Sequence, residues 1–251
     1  MNAVVREQLP VIDINSALSL ERLTSQFQSD KRLHITNFLP YASADALSRY
    51  LLESMAYQTY VVANRSSLGT PPGDGSVLTS EEEREMLEFA CDGARNGFAS
   101  YFESDRSLEE PEASGTPAVA GIYADCVAFL NSPRFLEFVS TITGITNLKR
   151  AEVRATRFRA GHFQLFSNGT WSADTTGKRR LNFELNLTHQ WRPEWGGLLE
   201  MRGHEGHQIE GVMPCFNSLE LFAFPRGYWI SQVAPFAAAA RYGISGSLYV
   251  E

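Results

Sequence analysis

Three short stretches in the second half of the chain alternate apolar with polar residues, and their polar positions hold groups able to do chemistry. In RRLNFELNLT, Leu181, Phe183, Leu185 and Leu187 fall on one side of a strand, and Asn182, Glu184 and Asn186 on the other. RYGISGSL sets Arg241, Gly243, Ser245 and Ser247 together, with Tyr242, Ile244 and Leu248 opposite. EVRATRF groups Arg154, Thr156 and Phe158. A polar strand face turns either to solvent or to a pocket. Three such faces, two with arginines, suit a lumen that holds an anion, because a guanidinium is a fixed fork of donors that matches a carboxylate.

A fourth stretch, FPRGYWISQVAP (224–235), has the shape of a strand that delivers a side chain into the same space, and Tyr228 is the polar ring it offers. The histidines are His34, His162, His189, His204 and His207. The H-x-x-H of HEGH lacks a third ligand on a rigid element and reads as a polar turn. His162 and His189 read as structural or pocket-edge residues. Cys91, Cys126 and Cys215 are odd in number, far apart and without a C-x-x-C. They read as small buried hydrophobes in a reducing, cytoplasmic compartment rather than as a disulfide framework or zinc site.

The elements that must position these groups divide near residue 150. Before it, SADALSRYLLESM (43–55), TSEEEREMLEFACDGARNGFASYF (79–102) and SPRFLEFVSTITGI (132–145) have helical spacing, and RLHITNFLP (32–40) reads as a short strand ended by proline. The first two helices are expected to open on capping serines. RSSLGTPPGDGS (65–76) and SLEEPEASGTPAVAG (107–121) read as loops that shape an entrance, the second a candidate lid. After residue 150, short strands follow one another with turn signals between them, which predicts an all-β sandwich or barrel. The 43% hydrophobic and 20% charged content fits a folded domain, and the net charge of −7 with a pI near 5.3 argues against nucleic acid or an anionic membrane as partner. The N-terminus has early charges and no long apolar core, so no signal peptide is expected. No run of 18 apolar residues is present to span a membrane.

LNLTHQWRPEWGGLLEM, FNSLELFAFPRG, SQVAPF and AARYGISGSL, with LHITNFLP, FLNSPRFLEFVSTITGI and ATRFRAGHF upstream, resemble the prolyl-4-hydroxylase-like 2-oxoglutarate/Fe(II) dioxygenases over nearly the whole chain. The resemblance implies a mainly β fold with covering helices (α+β), built on a double-stranded β-helix of jelly-roll or cupin type. One domain spans 1–251, with a helix-rich part (1–150) over the β-helix core (151–251). It also implies an iron held by two histidines and a carboxylate, with open positions for 2-oxoglutarate and oxygen. At the positions it assigns to those ligands stand Ser167, Gly169 and Tyr228. Arg241 matches the basic residue that holds the distal carboxylate of 2-oxoglutarate. Glu184 stands where an apolar residue is usual, and Ser247 where tryptophan is common.

Three readings follow. In the first, no metal and no cofactor is used. A small carboxylate-bearing molecule binds Arg241, Arg154, Asn182, Asn186, Ser245, Ser247, Phe158 and His162, and Tyr228 and Glu184 perform acid–base chemistry on it. Burial raises the pKa of Glu184 and Arg241 lowers it, and the two could simply neutralise each other. In the second, the chain is a pseudoenzyme or binding module with Tyr228 as a pocket filler. In the third, it is a hydroxylase with Fe(II), 2-oxoglutarate and shifted ligands such as Asp174 with His162. A homodimer is left open.

Overall fold

A computed structural model describes residues 9–63, 66–69, 79–105, 121–167, 178–203 and 206–251, with backbone only for 66–69 and 166–167. In chain order its elements are α1 (Leu20–Asp30), β1 (Arg32–Thr36), α2 (Tyr41–Glu53), β2 (Gln58–Ala63), β3 (Ser66–Gly69), α3 (Ser80–Asn96), β4 (Ala99–Ser104), α4 (Ile122–Leu130) and α5 (Pro133–Thr143). They continue with β5 (Leu148–Phe158), β6 (Phe163–Ser167), β7 (Arg179–Asn186), β8 (Leu199–Arg202), β9 (Ile209–Val212), β10 (Ser218–Ala223), β11 (Tyr228–Ile230) and β12 (Arg241–Val250). The strands form one antiparallel sheet in the order β1-β10-β7-β12-β5-β4-β6-β11-β8-β9, with β2 and β3 added beside β4. This sheet curls into a half-barrel, a jelly-roll or double-stranded β-helix arrangement.

The leucine face of β7 is covered as its pattern predicts. Leu181, Phe183, Leu185 and Leu187 join Leu219, Leu221, Ile244 and Leu248 in a core closed by Phe38, Leu47, Leu51, Phe135 and Val139 from the helical part. Each such side chain contributes about 1.5–3 kcal/mol of burial. The other face of β7 is thereby left to the lumen. Gly246 on β12 is required where two strands and a ring converge: a Cβ there would lie 1.9 Å from the Glu152 carbonyl oxygen and 2.5 Å from the Phe183 ring.

The helix read over 79–102 is two elements. α3 begins with a capping box between Thr79 and Glu82, so threonine and not Ser80 caps it, and it ends at Asn96. Residues 99–104 instead pair with β2 along six positions, and that ladder overrides local helical spacing. Ser43 lies inside α2, where its hydroxyl donates to the Val11 carbonyl, and Pro40 precedes the helix without a side-chain cap. α5 is capped by Ser132, and Gly144 closes it, as its glycine predicts, in the left-handed region at φ 73°. Part of the 65–76 loop is strand β3, paired with β2. The candidate lid at 107–121 lies outside the described residues apart from Gly121. No helix among the described residues is long and apolar enough to cross a membrane.

Candidate functional site

The polar faces of β5, β7 and β12 meet β4, β6 and β11 around a cavity of about 150 Å³. Arg154, Thr156 and Phe158 line it from β5, Glu184 from β7, Tyr228 and Ile230 from β11, and Ser245 and Ser247 from β12. Period two on adjacent strands explains the convergence, since Arg154, Ser245 and Glu184 are direct cross-strand neighbours.

Arg179 also lines the cavity, and strand alternation does not find it. Continued alternation from Asn182 and Glu184 would turn Arg180 inward. The ladder between β7 and β12 shifts at this point, from Leu181 opposite Leu248 to Arg179 opposite Tyr249. Arg180 becomes the extra residue of a bulge and Arg179 is re-aimed into the lumen. Its Nε donates to Asn182 Oδ1 at 2.8 Å, and Ser247 Oγ donates to the same oxygen at 3.2 Å. Asn182, expected to contact ligand, therefore sits behind the wall and positions two residues that form it.

Arg241 is almost fully buried, at 2% exposure, and does not line the cavity. Its Nη2 lies 2.5 Å from Glu184 Oε1. Its guanidinium stands over the Phe158 ring at 5.3 Å, beside an apolar cluster that includes Trp191, Leu199 and Val233. Gly197, at φ 63°, lets the chain pass: a Cβ there would meet Trp191 and Val233 at 3.1 Å and Arg241 Cδ at 3.6 Å. Nε and Nη1 of Arg241 have no hydrogen-bond partner among the described residues. Those two unfilled donors are what an anion would seek, but Glu184, which borders the cavity, is already paired with the guanidinium. The neutralisation left open by the sequence is thus the arrangement observed. Burial pushes the Glu184 carboxyl up, with Arg241 opposing and Glu220 adding to the rise.

Tyr228 lines the cavity with its ring 5.0 Å from Phe222, edge to face. Its backbone is directly opposite Ser167 on β6, so two of the positions that the resemblance assigns to iron ligands adjoin across the ladder. Gly169 and Asp174 lie outside the described residues. Among the described residues no three His, Cys, Asp or Glu side chains are grouped to hold a metal ion.

The remaining expected site residues lie elsewhere. His162 is not on the cavity wall: it sits in the turn after Gly161 (φ 87°), packs 4.4 Å from the Tyr101 ring and accepts a hydrogen bond from the Arg159 backbone N–H. Burial, reinforced by Arg159, holds its pKa down at about 3, so it is a neutral packing residue. Asn186 accepts from the Thr188 backbone N–H and closes the end of β7. His189 stacks on Phe216 at 3.9 Å. His204 is outside the described residues. Cys126 is fully buried, while Cys91 and Cys215 are half-buried, and all three are free thiols.

Comparison with known proteins follows the same strands. Residues 154–249, which contain β6 to β11, the second half of β5 from Arg154 and most of β12, match the model of the 2OG-Fe(II) oxygenase superfamily. Similar solved structures include a prolyl-4-hydroxylase from Pseudomonas putida, 14% identical over 93% of this chain and 100% of that one, with a TM-score of 0.60. The fold is that of the 2OG-Fe(II) oxygenases. A 2OG-Fe(II) oxygenase-family oxidoreductase from Burkholderia pseudomallei is 11% identical over 96% and 95% of the chains, with a TM-score of 0.56. A non-heme alpha-ketoglutarate-dependent epimerase of nogalamycin biosynthesis is 11% identical over 92% and 82%, with a TM-score of 0.54. At these identities the likeness establishes the fold and leaves the chemistry to the residues. No curated protein matches the sequence.

Proposed function

We propose that this chain is a divergent member of the 2OG-Fe(II) oxygenase superfamily that binds a small carboxylate-bearing molecule in the lumen and acts on it by metal-independent, non-oxidative acid–base chemistry. One contrast carries the reading. The Glu184 carboxylate answers Arg241, which stands behind the cavity wall, whereas Arg154 and Arg179 are on the wall itself with Glu152, Ser100, Ser245, Ser247 and Tyr228. The residues do not fit the family's cofactors. A 2-oxoglutarate carboxylate directed at Arg241 meets the Glu184 carboxylate already on Nη2, and Ser167 and Tyr228 supply neither imidazole nor carboxylate for iron.

In this reading Arg154 and Arg179 hold the ligand carboxylate as bidentate forks. Tyr228 donates a hydrogen bond or proton to the oxygen on which negative charge develops. Glu184 takes the proton, its basicity set by burial against Arg241. Elimination, isomerisation, cyclisation and hydrolysis all need one such donor and one such acceptor. The Glu184–Arg241 pair also favours a second reading, a binding module, because a carboxylate held by a guanidinium is a weakened base.

A ligand-observed NMR screen of small mono- and dicarboxylates, run with chelator present, tests both. The proposal expects hits that Arg154→Ala weakens tenfold or more, and conversion of a hit that Glu184→Gln slows by roughly 10²–10⁴-fold. Hits without conversion select the binding module. Conversion that stops with chelator and returns with Fe(II) plus 2-oxoglutarate sinks both.

A further inference from the structure

A rank of ionisable side chains crosses the lumen side of the sheet from its edge to the cavity. Cross-strand register sets His34 on β1 opposite Glu220 on β10, and Glu220 opposite Glu184 on β7. His34 Nδ1 is bonded to Glu220 Oε1, and Glu184 reaches Arg241 while bordering the cavity. Residues directly opposed on an antiparallel pair have Cβ atoms about 4.5–5.5 Å apart, within reach of one another's carboxyl groups. Side-chain exposure falls from 34% at His34 to 4% at Glu220 and 7% at Glu184, so the rank runs from solvent inward. Glu220 Oε2 is buried with no hydrogen-bond partner among the described residues.

Two adjacent buried carboxylates repel unless cations or a shared proton offset them. Arg241 offsets one end. At the other, only His34 can both gain and lose a charge near neutral pH. The other groups around the rank are Arg32 beside His34, Ser218 on β10, Asn182 and Asn186 on β7, Arg154 and Thr156 on β5, and Ser245 on β12. Arg32 is engaged with Glu210, 2.9 Å away, and Asn186 with the Thr188 N–H.

We propose that His34, Glu220 and Glu184 form a proton relay joining solvent at the β1 edge to the lumen. A proton on Glu184 passes to the Glu220 carboxylate, restoring the Glu184 anion opposite Arg241. Glu220 passes it to the unprotonated Nδ1 of His34, and the half-exposed imidazolium returns it to water. Each transfer breaks one O–H or N–H bond and forms another, with no other reactant. Run backwards, the same path supplies a proton to the cavity. The directions of two pKa shifts agree: the bond to Glu220 raises His34, and burial together with Glu220 raises Glu184. The relay rests on the proposed function only for what the proton does in the lumen.

The test is a ¹³C-carboxyl and ¹⁵N-imidazole NMR titration of the ligand-free protein. The relay predicts a two-step curve at Glu184 with one inflection at the His34 midpoint. His34→Gln, at the half-exposed edge, removes that inflection and moves the Glu184 midpoint by about one unit. Glu220→Gln uncouples the two ends while the protein stays folded. A single Glu184 step that ignores His34→Gln overturns the relay. Coupling in a protein that converts no carboxylate leaves the relay standing and removes the proposed function. Conversion without coupling does the reverse.

Discussion

The two ends of the lumen hold arginines in opposite settings. At one end Arg241 is buried against Phe158 and beside a cluster of apolar side chains, and a carboxylate from the neighbouring strand meets its charge. At the other, Arg154 and Arg179 border the cavity among serines, a tyrosine and two glutamates, Glu152 and Glu184. The same fork is a structural tie in the first case and, in the function proposed above, a ligand-binding surface in the second. Having an arginine on the right strand face therefore does not make it an anchor for an incoming anion.

Removing one partner at the closed end gives the largest effect. Arg241→Met strands a buried Glu184 and is expected to lower unfolding stability by about 3–5 kcal/mol in denaturant titration. Adding Glu184→Leu removes the uncompensated charge, and the double variant should return to within roughly 1–2 kcal/mol of the parent. If the double variant is no better than the single, the pair is not what holds this end together.

His162 shows the alternative to pairing, a titratable group kept neutral by burial. Its folded pKa, about 3, is below the ordinary 6.5. The stability it contributes is complete above pH 6.5 and is lost as pH falls from 6.5 towards 3. Over that window the loss is on the order of 4 kcal/mol, and His162→Phe should flatten it in pH-dependent denaturation. At the open end, Arg154→Ala should cost about tenfold in carboxylate affinity, near 1.4 kcal/mol, with a smaller loss of stability than Arg241→Met.

The smallest effect belongs to His34, whose sign is opposite to that of His162. Glu220 raises its folded pKa above 6.5, so its contribution is present below pH 6.5 and fades as pH rises through the folded value. With His34 half-exposed, under about 1 kcal/mol is expected, read as the pH-dependent difference between parent and His34→Gln.

Strand alternation made most of the site legible. Leu181, Phe183 and Leu185 lie in the core and Glu184 in the lumen because period two has no alternative once helices cover one face. Arg179 was hidden because a bulge reverses the alternation at Arg180, and a one-residue insertion leaves no mark in composition. β2 and β4 were hidden for a different reason: nearly every residue in them is buried on both faces, so no apolar–polar alternation betrays the strand. His162, read as a structural or pocket-edge residue and also named among the ligand contacts, packs on Tyr101 because a turn through Gly161 at positive φ sends it away from the lumen. The Glu184–Arg241 pair was nameable in advance, since both residues fall on lumen-facing positions, but which of several outcomes it adopts depends on the stagger of β7 against β12.

Glu184 on Arg241 is proposed to close the lumen to 2-oxoglutarate. Anaerobic calorimetric titration of the purified protein with Fe(II) and then 2-oxoglutarate tests it most directly. No stoichiometric binding of either is expected. One tightly bound iron per chain, followed by saturable 2-oxoglutarate binding that Arg241→Met abolishes, would contradict it.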